Sequence, residues 1–132
     1  MKLLRFVTVI SGFYDALVGG ALLFAMGEVL TLFGLEAPRY PIQANLNGLF
    51  LLAIGAGYFA IARRPQEHLW YLWIMGVALK GGGAVLFLVD QVLRDSPASF
   101  LLFSASDGTL AALTLWAIRR ASTSETGRAP EA

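Results

Sequence analysis

The sequence predicts an all-α integral membrane protein: a four-transmembrane-helix bundle, up-down-up-down, with a short outer interfacial helix between its first and second helices. Three observations carry this. The chain holds four apolar runs, about 6–26, 42–62, 69–89 and 100–118, and a hydrocarbon core about 30 Å thick needs roughly 20 apolar residues of helix. Hydrophobic residues make up 57% of the chain and charged residues only 14%, too little polar surface to coat a water-soluble fold of this size. The cations are sorted as well. Lys2, Arg5, Arg63, Arg64, Arg119, Arg120 and Arg128 flank the spans on one side, and only Arg39 and Arg94 fall on the other. The positive-inside bias then puts both termini in the cytoplasm, for a multi-pass protein expected in the cell's inner (plasma) membrane. One domain, residues 1–120, is expected, followed by a disordered cytoplasmic tail over 121–132.

The same numbers exclude several chemistries. A net charge of +1 gives no drive toward nucleic acid. The absence of cysteine removes disulfides, thiolate catalysis and cysteine-ligated clusters. With His68 as the sole histidine, no metal or haem site is expected within one chain. There is no H-E-x-x-H and no serine elbow, and the GVALKGGG segment lacks the order of a phosphate loop. No catalytic residue is assigned.

The first span opens on MKLLRF, as a signal peptide does, but Asp15 interrupts the apolar run and no A-x-A pattern follows. It reads as a retained helix. Gly12, Ala16 and Gly20 form a stripe of small residues that allows close helix approach, and Asp15 beside it is expected to face the bundle. Next comes EVLTLFGLEAPRYP, too short to span; it reads as an interfacial helix ending near Gly34, an anchor or else a lid. Pro38 and Pro41 break the chain before the second span. There Asn47, Leu51, Ile54 and Tyr58 recur at helical spacing, with Asn45 nearby. Pro65 stops that helix in a basic turn. The third span starts with Trp70, Tyr71 and Trp73 at headgroup level, and Gly76, Lys80 and Gly83 share one face. Gly81–Gly83 admit a close neighbour or a kink, since helix still satisfies the amides best in a bilayer. The fourth span puts Ser104, Asp107 and Ala111 on one face, and Trp116 with Arg119 and Arg120 marks its inner end. From Ala121 the composition is too polar to bury a core.

Asp15, Lys80 and Asp107 all fall near mid-depth, where a charge costs a few kcal/mol and ordinarily faces protein and finds a partner. On a structural reading, one Asp–Lys pair fixes helix register and the other carboxyl is protonated or hydrogen-bonded to a serine or tyrosine. If the pair is Lys80–Asp107, Asp107→Asn should relieve Lys80→Met. On a binding reading, the three charges floor a polar pocket lined by Asn45, Asn47, Tyr58 and Ser104, suited to a quinone, a lipid head group or a small metabolite. A third reading is proton-coupled small-molecule transport using Asp15. The partners expected are the lipid bilayer and a homo-oligomer or larger membrane complex. The function expected is that of a non-enzymatic accessory or binding protein, or else a purely structural subunit.

FYDALVGGALL, the proline-bearing loop, NLNGLFLLAIGAGYFAIARRP, LKGGG and SDG together resemble the small bacterial four-helix membrane proteins of the DoxX-like type. The resemblance spans nearly all of residues 1–120 and consists of small residues and topology. It implies the four-helix fold. Some members of that group are associated with quinol oxidation or redox-linked membrane complexes, but the resemblance carries no catalytic residue onto this chain.

Overall fold

The computed structural model describes residues 2–127, the side chains of 125 and 126 excepted. Every regular element among them is helical. Four stretches, Lys2–Phe24, Pro41–Ile61, Pro65–Arg94 and Ala98–Ser124, are long and apolar enough to cross a membrane.

Helix α1 (Lys2–Phe24) buries Leu4, Val7, Thr8, Ser11, Gly12, Asp15 and Gly19, positions three and four apart that lie on one helix face. Its remaining apolar residues, such as Phe13, Leu17 and Phe24, stay exposed, as they would on a side turned to lipid. After Ala25 the chain re-enters helix as α2 (Met26–Phe33). Gly34 ends it in the left-handed conformation at φ 65°, where a side chain would be strained; Leu35 N–H closes the turn on the Leu30 carbonyl at 2.8 Å.

Helix α3 (Pro41–Ile61) starts with proline in its first turn, where the missing N–H has no helical partner to lose. The third rod has mixed winding. A 3₁₀ turn (Pro65–His68) leads into α4 (Leu69–Tyr71), then eight residues of π-helix (Leu72–Leu79), then α5 (Lys80–Arg94). Asp95 ends it in the left-handed conformation. A second 3₁₀ turn (Ala98–Phe100) precedes α6 (Leu101–Thr126).

Glycines set the closest approach, between α1 and α3. A Cβ added to Gly19 would lie 2.6 Å from the Gly48 carbonyl oxygen, and one added to Gly48 would lie 2.8 Å from that of Gly19. Further along, Gly55 meets Gly12 and Ala16, and Gly12 meets Tyr58 and Phe59. This corrects the small-residue stripe read from the sequence. A methyl group at Gly20 would have nothing within 4 Å, and Gly19 takes the contact instead. Seven residues make nearly two full turns, so position 19 stays in line with 12 better than position 20 does.

At one end of the bundle Leu4, Val7, Tyr58, Ile61, Leu72, Ala117, Ile118 and Ala121 form the hydrophobic core. The sequence reading starts a disordered tail at Ala121, but α6 continues through Thr126. Ala121 is buried in that core, and the hydroxyls of Ser122, Thr123 and Ser124 bond back to carbonyls four residues earlier. Residues 128–132 of the expected tail lie outside the described residues.

Tyr71 ties the third rod to α3 by donating to the Ile54 carbonyl at 2.6 Å. Tyr71→Phe should lower stability by about 0.5–1.5 kcal/mol, the usual net worth of one such bond. Thermal unfolding in detergent measures it, and an unchanged midpoint would show that the bond contributes nothing.

Candidate functional site

The three charges of the apolar runs meet. Asp15 comes from the middle of α1, Lys80 from the junction of the π-helix with α5, and Asp107 from the second turn of α6. Lys80 Nζ donates to Asp15 Oδ1 at 2.5 Å, and the two side chains are 4% and 2% exposed. Asp107 Oδ1 stands farther off at 3.8 Å, on a side chain 18% exposed. Of the two carboxylates, Asp15 is therefore the ammonium's close partner, and Asp107 stands farther from it, beside the Tyr14 hydroxyl. Backbone choice makes room for the lysine: Gly76 sits one turn before it, where a Cβ would lie 2.7 Å from Thr114 Cγ2.

Aromatic rings complete the shell around the ammonium. Nζ lies 4.8 Å from the Tyr14 ring centroid and 5.9 Å from that of Tyr58, within reach of cation–π attraction. The Tyr14 hydroxyl shares a 2.7 Å hydrogen bond with Ser106. Ser11 Oγ, Asp15 Oδ2 and the Tyr58 hydroxyl are buried beside it, and the Tyr58 hydroxyl lies within interaction range of Ser11.

Above Lys80 and Asp107 lies a cavity of about 640 Å³, within the size range of small-molecule sites. Tyr14, Lys80 and Asp107 form its polar end. Its walls are apolar: Val18 and Leu22 from α1, Leu51 and Ile54 from α3, Leu79 and Phe87 from the third rod. Met26, Val29, Leu30 and Phe33 of α2 line it from a further side, with Leu35, Glu36 and Pro38 following them. Ser99 Oγ, at the head of the fourth rod, donates to the Phe33 carbonyl at 3.0 Å and holds the end of α2 in place.

Of the four residues expected to line a pocket, Asn47 does so, and Asn45, Tyr58 and Ser104 lie outside the lining. Each departure has a local cause. Asn45 is two positions from Asn47, about 200° around the helix. Tyr58 is wholly buried in the core below Lys80. Ser104 donates its hydroxyl to the Ala84 carbonyl at 2.8 Å, holding α6 to α5. The sequence reading did not assign Tyr14, Glu36 or the phenylalanines of the wall to a pocket. Tyr14 adjoins Asp15 in the sequence, which was the available signal; nothing in the periodicity distinguishes Phe87 and Phe103 from lipid-facing rings.

The arrangement suits non-covalent capture of an amphipathic molecule: an apolar chamber with charged and hydroxyl groups at its inner end and Glu36 at its rim. Comparison with protein-family models, with curated proteins and with solved structures finds no match to this chain.

Proposed function

We propose that this chain is a non-enzymatic accessory protein of a bacterial-type inner (plasma) membrane that binds an amphipathic small molecule, of the size of a lipid or quinone, in the cavity above Lys80. The observation that carries this reading is the junction of a 640 Å³ apolar chamber with a buried ammonium–carboxylate cluster. Charged groups at this depth are costly, and they recur where membrane proteins hold ligands or move protons. The apolar walls supply burial energy, and the polar end fixes orientation.

In this reading the four rods run up-down-up-down, which accords with Gly12 meeting Tyr58 while Gly19 meets Gly48. Both termini face the cytoplasm, on the strength of the arginine and lysine bias. Helix α2 lies at the outer interface and roofs the cavity with Met26, Val29, Leu30 and Phe33, so it serves as lid as well as anchor. The arrangement is the one implied by the DoxX-like resemblance, and a homo-oligomer or larger membrane complex is the natural setting for so small a bundle.

A second reading, a structural subunit whose Asp15–Lys80 pair only locks helix register, is favoured by the closeness of that pair. Proton-coupled transport draws on the same carboxylates. Native mass spectrometry of the protein, gently extracted from its own membrane, separates binding from structure. A recurring adduct of small-molecule mass is expected. A bare monomer or homo-oligomer under conditions that retain known weak lipids would overturn the binding reading and leave the structural one.

A further inference from the structure

The cavity's lining is unbalanced in charge. Its one cation is Lys80, and Asp15, directly behind the lining, already occupies that ammonium at 2.5 Å. Two carboxylates remain on the lining, Asp107 at the inner end and Glu36 at the exposed rim, with no second cation among the lining residues. Asp107 is reached by Lys80 only at 3.8 Å, through Oδ1. Its Oδ2 faces Gly83, another lining residue, where a Cβ would stand 3.6 Å away. With glycine at 83, no side chain of that residue stands against the oxygen, and the Tyr14 hydroxyl, itself on the lining, is the carboxylate's other polar neighbour.

The wall next to this carboxylate is aromatic. Phe33, Phe87, Phe100 and Phe103 all line the cavity and pack into one continuous group, with centroids 5.3 Å apart for Phe33–Phe103 and 5.6 Å for Phe87–Phe103. Aromatic surface beside an incompletely neutralised carboxylate is the combination that binds quaternary ammonium and other bulky cations, through ring quadrupole and ion pairing together. An anionic ligand would meet two carboxylates and an ammonium already paired. A neutral quinone would leave the excess negative charge in place.

We infer that the ligand of this cavity is a lipophilic cation, a hydrophobic ammonium or its equivalent, with Asp107 as its counter-ion, Glu36 drawing it in at the rim and the phenylalanine wall covering its apolar body. This rests on the binding reading above and narrows it to one class of charge.

The test uses the full chain in phosphatidylcholine nanodiscs and two probes of the same shape and opposite charge, tetraphenylphosphonium and tetraphenylborate, with a short-chain benzoquinone as the neutral probe. Equilibrium binding is measured against empty discs to remove partitioning into lipid. Saturable phosphonium binding is expected, with the borate and the quinone at least about ten-fold weaker. Asp107→Asn should weaken phosphonium by at least about ten-fold, since it removes the counter-ion at nearly constant volume. Gly83→Leu, which keeps every charge but puts a side chain against Oδ2, should likewise weaken phosphonium binding by at least about ten-fold, so the assignment stays testable if the Asn variant fails to fold. Borate or quinone binding as tightly as phosphonium would overturn the cation assignment and leave the cavity as a binding site. Failure of all three probes to saturate would overturn both.

Discussion

Lys80→Met should leave little or no folded protein, and Asp15→Asn added to it should restore most of what is lost. The lysine side chain is 4% exposed and its carboxylate partner 2%. Removing the ammonium strands the Asp15 carboxylate in a place where neither water nor another cation reaches it. Breaking a buried pair in this way costs about 3–5 kcal/mol, whereas replacing both partners by uncharged groups is often neutral. Asp107→Asn alone should cost far less, because Asp107 is more exposed and stands 3.8 Å from the ammonium. The measurement is folded yield in detergent with a thermal midpoint for each variant. If Asp107→Asn rescues Lys80→Met better than Asp15→Asn does, the order of the two partnerships is reversed.

Gly19→Ala is the second large effect, with Gly48→Ala beside it. The methyl of either would lie within 3 Å of a backbone carbonyl on the facing helix, and backbone cannot turn aside as a flexible side chain can. The two helices must move apart along their tightest seam, which overpacking data put at about 1–3 kcal/mol. Gly20→Ala, one residue on, meets nothing within 4 Å and should be neutral or slightly stabilising through helix propensity. Reversible unfolding in mixed detergent would show the contrast. Equal losses at 19 and 20 would mean that helix flexibility rather than the seam is being measured.

Much of this arrangement was legible in the sequence, and the rest was not for identifiable reasons. The four long apolar runs and the short helix ending at Gly34 follow from hydropathy, proline and glycine, which are local signals. The meeting of Asp15, Lys80 and Asp107 follows from cost: charges at one depth in an apolar setting have few other partners. Which carboxylate stands closer was hidden, because it depends on the rotation of α1 and α6 about their axes to within a few tens of degrees. Asn45 and Ser104 were misplaced for the same reason. Their residue types fit a pocket, but the azimuth of α3 and the α5–α6 seam turn them elsewhere. The end of α6 was misjudged because composition reports whether serine and threonine favour helix. It does not report that Ala121 is packed into the core, which carries the helix past it.

The wide winding at Leu72–Leu79 has a consequence for how the third rod is phased. A π-turn carries more residues per revolution than an α-turn, and such segments commonly behave as one residue inserted into an α-helix. Each residue of α-helix advances the side chains by about 100°. The π stretch therefore works as a vernier between the two halves of the rod: Trp70 and Tyr71 keep one bearing, and Lys80 is dialled to another. Were those eight residues to rewind as α-helix, with no atom of the cluster altered, the ammonium would swing by about a quarter turn and face away from both carboxylates.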